Sequence, residues 1–168
     1  MRLDTVKNGV ESLWGHLAEG WRHLMRSAAG ALTRFRPTRD AGLPAAAEVD
    51  DAAYLPDLSW AMLGGDVFED ERRVVVRLEV PGMEKSDFDI AVADDVLRVS
   101  GEKRFERETG EGRWRVVQCA YGSFQRTVPL PAPVIAEQAK ATYRNGVLRI
   151  ELPKARPGKP ATRTIPVH

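Results

Sequence analysis

Cys119 and the three histidines, His16, His23 and His168, are the residues of this 168-residue chain best suited to nucleophilic or metal chemistry, and their positions favour neither. A thiol nucleophile needs a base within hydrogen-bond reach. Here the histidines stand near the two ends, while Cys119 falls inside a run, Trp114 to Ala120, that reads as a strand. His16 and His23 are seven apart and share a helical face, but too few partners join them at zinc-ligand spacing, so a polar face suits them better than a metal site. The chain contains neither a glycine-rich phosphate loop nor a Gly-x-Ser-x-Gly elbow. No enzyme and no cofactor is expected, and the chemistry that remains is binding.

Three groups of residues are equipped for it. Leu13, Trp14, Leu17, Trp21, Leu24 and Met25 crowd one short stretch with large apolar side chains. Trp and Met repack readily against varied surfaces. Arg126 shares a strand face with Phe124 and Val128, and an arginine turned inward requires a carboxylate, supplied either within the chain or by another subunit. Ile165 and Val167 flank Pro166 in a tail otherwise made of Pro, Gly and basic residues. In extended backbone both point the same way, as a plug with two knobs.

The elements that must position these groups fall into three sections. In the first, Leu3, Val10, Leu17 and Leu24 recur at seven-residue spacing, with Trp14, Trp21 and Ala28 each four beyond one of them, which predicts an amphipathic helix. Gly9, Gly15 and Gly20 cost it about 1 kcal/mol each relative to alanine, so it needs something to pack against, either its own domain or other chains. From about Arg36 to Gly65 the period dissolves into Pro37, Pro44, Pro56 and acidic residues, which predicts a mobile linker. Tyr54-Leu55 and Trp60 to Leu63 stand out in it as apolar islands. Residues 1 to 39 carry seven basic and three acidic groups, and residues 40 to 71 nine acidic and none basic.

From Asp66 the period becomes two. Val74, Val76, Leu78 and Val80 share a face, as do Phe88, Ile90 and Val92, then Leu97 and Val99. Asn145-Gly146 between two alternating runs is a strong hairpin signal, since both residues tolerate positive φ. About eight short strands between 66 and 153 predict one all-β domain, an immunoglobulin-like antiparallel β-sandwich. The predicted organisation is an arm and linker over 1–65, the sandwich over 66–153 and a flexible tail over 154–168. Within the sandwich, Gly101 to Arg115 breaks the rhythm with nine charged residues and only Phe105 and Trp114 as large apolar ones, too long for a tight turn.

Composition narrows the partners. No uncharged stretch exceeds ten residues, too short for a membrane span, and charges interrupt the start, so a secretory signal is not expected either. The single cysteine fits a reducing compartment, and the cytoplasm is the expected location. Basic residues from Arg72 onward alternate with acids, which argues against nucleic acid as a partner. The arginines Arg22, Arg26, Arg34 and Arg36 leave a membrane-surface anchor as one alternative, opposed by Glu11 and Glu19. A sandwich module with one fixed partner is another.

The run Ala141-Thr142-Tyr143-Arg144-Asn145-Gly146-Val147-Leu148 resembles the Ala-x-x-x-Asn-Gly-Val-Leu signature of the small heat shock proteins, the alpha-crystallin superfamily, in their bacterial type. Val80-Pro81-Gly82-Met83, the stretch Tyr121 to Arg126 leading to Leu130-Pro131, and Ile165-Pro166-Val167 are similar to further family motifs, in the family's order and spacing. The resemblance covers about 66 to 168. It implies an ATP-independent holdase that captures partly unfolded clients before they aggregate and passes them to ATP-driven chaperones, with the apolar arm residues as the client surface. It also implies dimers that assemble further. In the bacterial and plant type the charged loop, with Phe105 and Trp114, crosses to the partner's sheet, and Arg126 belongs at the dimer interface. Ile165, Pro166 and Val167 would anchor assembly in a groove formed by Phe88, Ile90, Val92, Ala141 and Leu148 of a neighbouring dimer, the chain's own groove being the alternative.

Overall fold

The valine-rich alternation that starts at Val74 forms the centre of two antiparallel sheets in the computed structural model, which describes residues 30–56 and 59–158. In chain order the strands are β1 (Leu32–Arg36), β2 (Ser59–Met62), β3 (Gly65–Glu69), β4 (Arg73–Glu79), β5 (Phe88–Ala93), β6 (Val96–Lys103), β7 (Gly122–Pro129), β8 (Lys140–Arg144) and β9 (Val147–Pro153). One sheet has the order β2-β1-β7-β6-β5 and the other β3-β4-β9-β8. The chain divides into two compact units, Met1–Leu32 and Thr33–His168, and of the first only residues 30–32 are described.

Between the sheets, Val74, Val76 and Leu78 of β4 and Leu148, Ile150 and Leu152 of β9 meet Leu97, Val99, Phe124 and Val128 of β6 and β7, all buried. At about 1.5–3 kcal/mol per fully buried large side chain, this layer is the main source of stability. The β8–β9 hairpin turns on Asn145 (φ 52°) and Gly146 (φ 77°), the pair that tolerates positive φ. Its tip docks on the segment after β4: the Val80 amide donates to the Gly146 carbonyl at 2.8 Å, and the Tyr143 hydroxyl donates to the Val80 carbonyl at 2.8 Å. The motifs around Val80 and Asn145, 65 residues apart in sequence, form one structural corner.

The sandwich takes in more of the chain than the periodicity predicts. The expected mobile linker contains β2 and the end of β1, and Ala41, Val49 and Leu63 within it are buried. Phe35 of β1 is 1% exposed and stacks on Phe124 with ring centroids 5.0 Å apart. β1 lies along β7 in the register Phe35↔Phe124 and Arg36↔Ser123. The approach requires glycine at 122, since a Cβ there would lie 2.2 Å from the Arg36 carbonyl oxygen and φ is 108°.

The strand expected over Trp114 to Ala120 does not form. Only an isolated bridge at Trp114 occurs, and Cys119 lies exposed in a loop instead of mid-strand. The reason is edge availability, because β1 and β6 occupy both sides of β7. The tail likewise begins later than expected. Lys154 is buried, pairs with Glu69 at 2.7 Å and donates to the carbonyls of Asp70 and Gly158, while the Gly158 amide donates to Glu71. Removing one partner of a pair so buried costs about 3–5 kcal/mol, so residues 154–158 belong to the domain.

Candidate functional site

β5 and β8 are edge strands of opposite sheets, and the sandwich opens between them. Lys85, Phe88, Ile90, Ala141, Thr142, Tyr143 and Leu148 line a groove of about 210 Å³ there. The half-buried Phe88 and Tyr143 face each other with ring centroids 5.0 Å apart, and the Tyr143 hydroxyl is tied to Val80, so the aromatic wall is held in place. Four of the five expected groove residues, Phe88, Ile90, Ala141 and Leu148, come together. Val92, one pleat further along β5, packs against the core and lies outside the lining. Lys85 is an addition that the strand alternation could not supply, because it sits in a short 3-10 turn before β5. The predicted plug, Ile165, Pro166 and Val167, and the apolar stripe Leu13, Trp14, Leu17, Trp21, Leu24 and Met25 lie outside the described residues.

Arg126 projects between the sheets beside Val99, its register partner on β6. Its Nε is buried without a hydrogen-bond partner, and burial pushes the guanidinium pKa below the ordinary arginine value, with no neighbouring carboxylate to oppose it. The intrachain ion pair that the sequence left open is absent among the described residues. An arginine so placed is a donor in want of an acceptor.

Residues 104–121 form the charged loop. Phe105 is buried and meets Trp114 and Tyr121 edge-on, at 4.7 and 5.0 Å between ring centroids. The loop is clasped by the acidic segment before β2. The Phe105 amide donates to Ala41, the Trp114 amide to Glu48, and the Asp50 amide to the Trp114 carbonyl, at 2.7, 3.2 and 2.7 Å. Arg107 forks onto both oxygens of Glu48 at 3.0 and 3.2 Å, Arg113 pairs with Asp50 at 2.8 Å, and Arg115 reaches the same carboxylate. The Arg107 hydrogen bond is the chief cause that holds the Glu48 carboxyl below its ordinary pKa. The stabilisation is therefore present above the ordinary glutamate pKa and is lost as the pH falls through the lowered value.

The apolar island from Trp60 to Leu63 has a place in the fold that the sequence did not show. Among the described residues β2 and β3 are sheet edges, and they expose Trp60 (49%), Met62 (54%), Val67 (48%) and Phe68 (57%), far more apolar surface than a sandwich needs for itself. Alternation alone does not tell a covered edge from an open one.

The Hsp20/alpha crystallin family model matches residues 66–168. The chain belongs to the Hsp20/alpha crystallin family. Among curated proteins it is 38% identical over 94 residues to an 18.1 kDa class I heat shock protein of Oryza sativa subsp. japonica, a match that spans 55% of this chain and 58% of that protein. To a 17.5 kDa class I heat shock protein of Glycine max it is 29% identical over 133 residues, 78% of this chain and 82% of that one. Among solved structures, heat shock protein 16.0 from Schizosaccharomyces pombe superposes with a TM-score of 0.54 at 33% identity, covering 63% of this chain and 97% of that one. The hspA of Xanthomonas axonopodis follows at 0.50 and 30%, covering 57% and 96%. The match to the rice protein stops short of two thirds of that protein's length.

Proposed function

We propose that this chain is an ATP-independent holdase that binds partly unfolded proteins and keeps them from aggregating. The observation that carries it is the exposed apolar surface of β2 and β3, which among the described residues are edge strands of an Hsp20/alpha crystallin sandwich, a surface suited to contact with other chains. The work is non-catalytic and cytoplasmic, with hand-over to ATP-driven chaperones, and neither nucleic acid nor membrane is a partner. Clients dock on Leu13, Trp14, Leu17, Trp21, Leu24 and Met25. Subunits pair through the loop bearing Phe105 and Trp114 and through Arg126, whose unpartnered Nε supports an acceptor on a second subunit. Dimers are joined by Ile165, Pro166 and Val167 in the groove of Phe88, Ile90, Ala141 and Leu148, with Val92 further along β5.

The client site is tested by removing residues 1–29. The cut must not run to residue 39, as the linker expectation would allow, because it would then take Phe35 out of the core, at about 3–5 kcal/mol for a lost buried phenylalanine. The 30–168 chain is expected to keep its thermal midpoint within a few degrees and to lose most suppression of client aggregation, measured by light scattering. Full protection by that chain would move the client site to the edges of β2 and β3.

A further inference from the structure

The acidic segment and the charged loop satisfy each other completely enough to act as a switch. In strand-like backbone the N–H and C=O of one residue point to the same side. Both groups of Trp114 are taken by this chain's own Glu48 and Asp50, and Val49, their neighbour, is buried and bridged in parallel to Trp114. All three arginines of the stretch from Arg107 to Arg115 are spent on two carboxylates, whereas Glu106, Glu108 and Glu111 make no ion pair among the described residues. Gly110, at φ 121°, and Gly112 have open space where a side chain would be, so no packed side chain holds the tip.

We propose that residues 41–50 are an intramolecular competitor that holds the 104–121 loop against its own chain, and that a second copy of this chain gains the loop only when this latch opens. The inference rests on the reading that the loop pairs subunits. Carrying Phe105 and Trp114 to another sheet breaks the Ala41, Glu48 and Asp50 backbone bonds and separates all three ion pairs from the linker. The arginines and Glu48 are exposed and Asp50 is partly so, which leaves each pair weak and screened by salt, and the latch is one that ordinary conditions can open. Glu48 and Asp50 thereby set how tightly subunits associate.

The test uses the full chain. In a Cys119→Ser background, Asp50→Cys with Arg115→Cys places two thiols on the positions that follow the parallel bridge Val49↔Trp114, side by side in register. Oxidised at high dilution, the protein is expected to cross-link within one chain and to show a dimer dissociation constant raised at least tenfold, measured by native mass spectrometry across a dilution series, with recovery on reduction. Separately, Glu48→Gln with Asp50→Asn, which keeps every cysteine unchanged, is expected to lower the constant about tenfold, or ~1.4 kcal/mol. Cross-links between chains, or none at all, would overturn the latch. So would an intrachain cross-link that leaves the constant where it was. A reduced chain and a Glu48→Gln, Asp50→Asn chain that are both monomeric, with the intrachain cross-link still forming, would instead overturn loop-mediated pairing, and the competition with it.

Discussion

Arg126→Ala is expected to raise the dimer dissociation constant more than about a hundredfold without lowering the thermal midpoint at dilutions where the chain is monomeric. Within one chain the Arg126 Nε is buried and unpartnered, so the side chain carries a desolvation cost that truncation removes. On the proposed pairing the same guanidinium meets a carboxylate across the subunit contact, and removing it strands that charge. A broken buried pair costs about 3–5 kcal/mol, and every 1.4 kcal/mol is tenfold in affinity. The sign of the stability effect thus separates the two places its partner can sit. Arg126→Lys should recover little, because an ammonium lacks the planar fork. A lowered midpoint in the monomer, with dimerisation intact, would place the carboxylate within the chain.

Ile165→Ala combined with Val167→Ala is expected to reduce large assemblies to dimers. The groove on the β5–β8 side is about 210 Å³, walled by Phe88 and Tyr143 and floored by Ile90, Ala141 and Leu148. Two β-branched side chains buried there yield about 3–6 kcal/mol before ordering costs. One such contact is weak and reversible, but an assembly held by several of them is firm, and the loss of all at once is a change of size class. Light-scattering mass measurement reads the outcome. A particle of unchanged mass would mean that the tail fills its own chain's groove or that the arm alone drives assembly.

The parts of this fold that alternation made legible are those with one clean apolar face. β4, β6 and β9 present Val, Leu and Ile to the core at every second position, and Asn145-Gly146 closes its hairpin as the φ requirement dictates. β1 was illegible for a definite reason: Leu32-Thr33-Arg34-Phe35-Arg36 offers one large core residue among arginines, and its place depends on Gly122, 87 positions beyond Phe35, letting the backbone through. Lys154 shows the converse, a charged residue buried because Glu69 and two carbonyls wait for it. The clasp of Glu48 and Asp50 on Arg107, Arg113 and Arg115 spans about sixty residues, and charge composition locates the two partners without joining them. The groove was implied by the family resemblance, while strand alternation placed Phe88 and Ile90 on one face of it. Trp60 to Leu63 stood out as an apolar island, but the exposure of Trp60, Met62, Val67 and Phe68 was not legible, because sheet order decides which strand lacks a neighbour among the described residues.

The central claim, that this Hsp20/alpha crystallin chain protects unfolding proteins by binding alone, is tested most directly by heating a labile enzyme with the full chain, nucleotide absent, and following turbidity. Aggregation is expected to be suppressed near one subunit per client, with the client recovered in a soluble complex by size exclusion and reactivated when an ATP-driven chaperone system and ATP are added. Turbidity that rises as fast as in the client alone, at several subunits per client, would contradict the account.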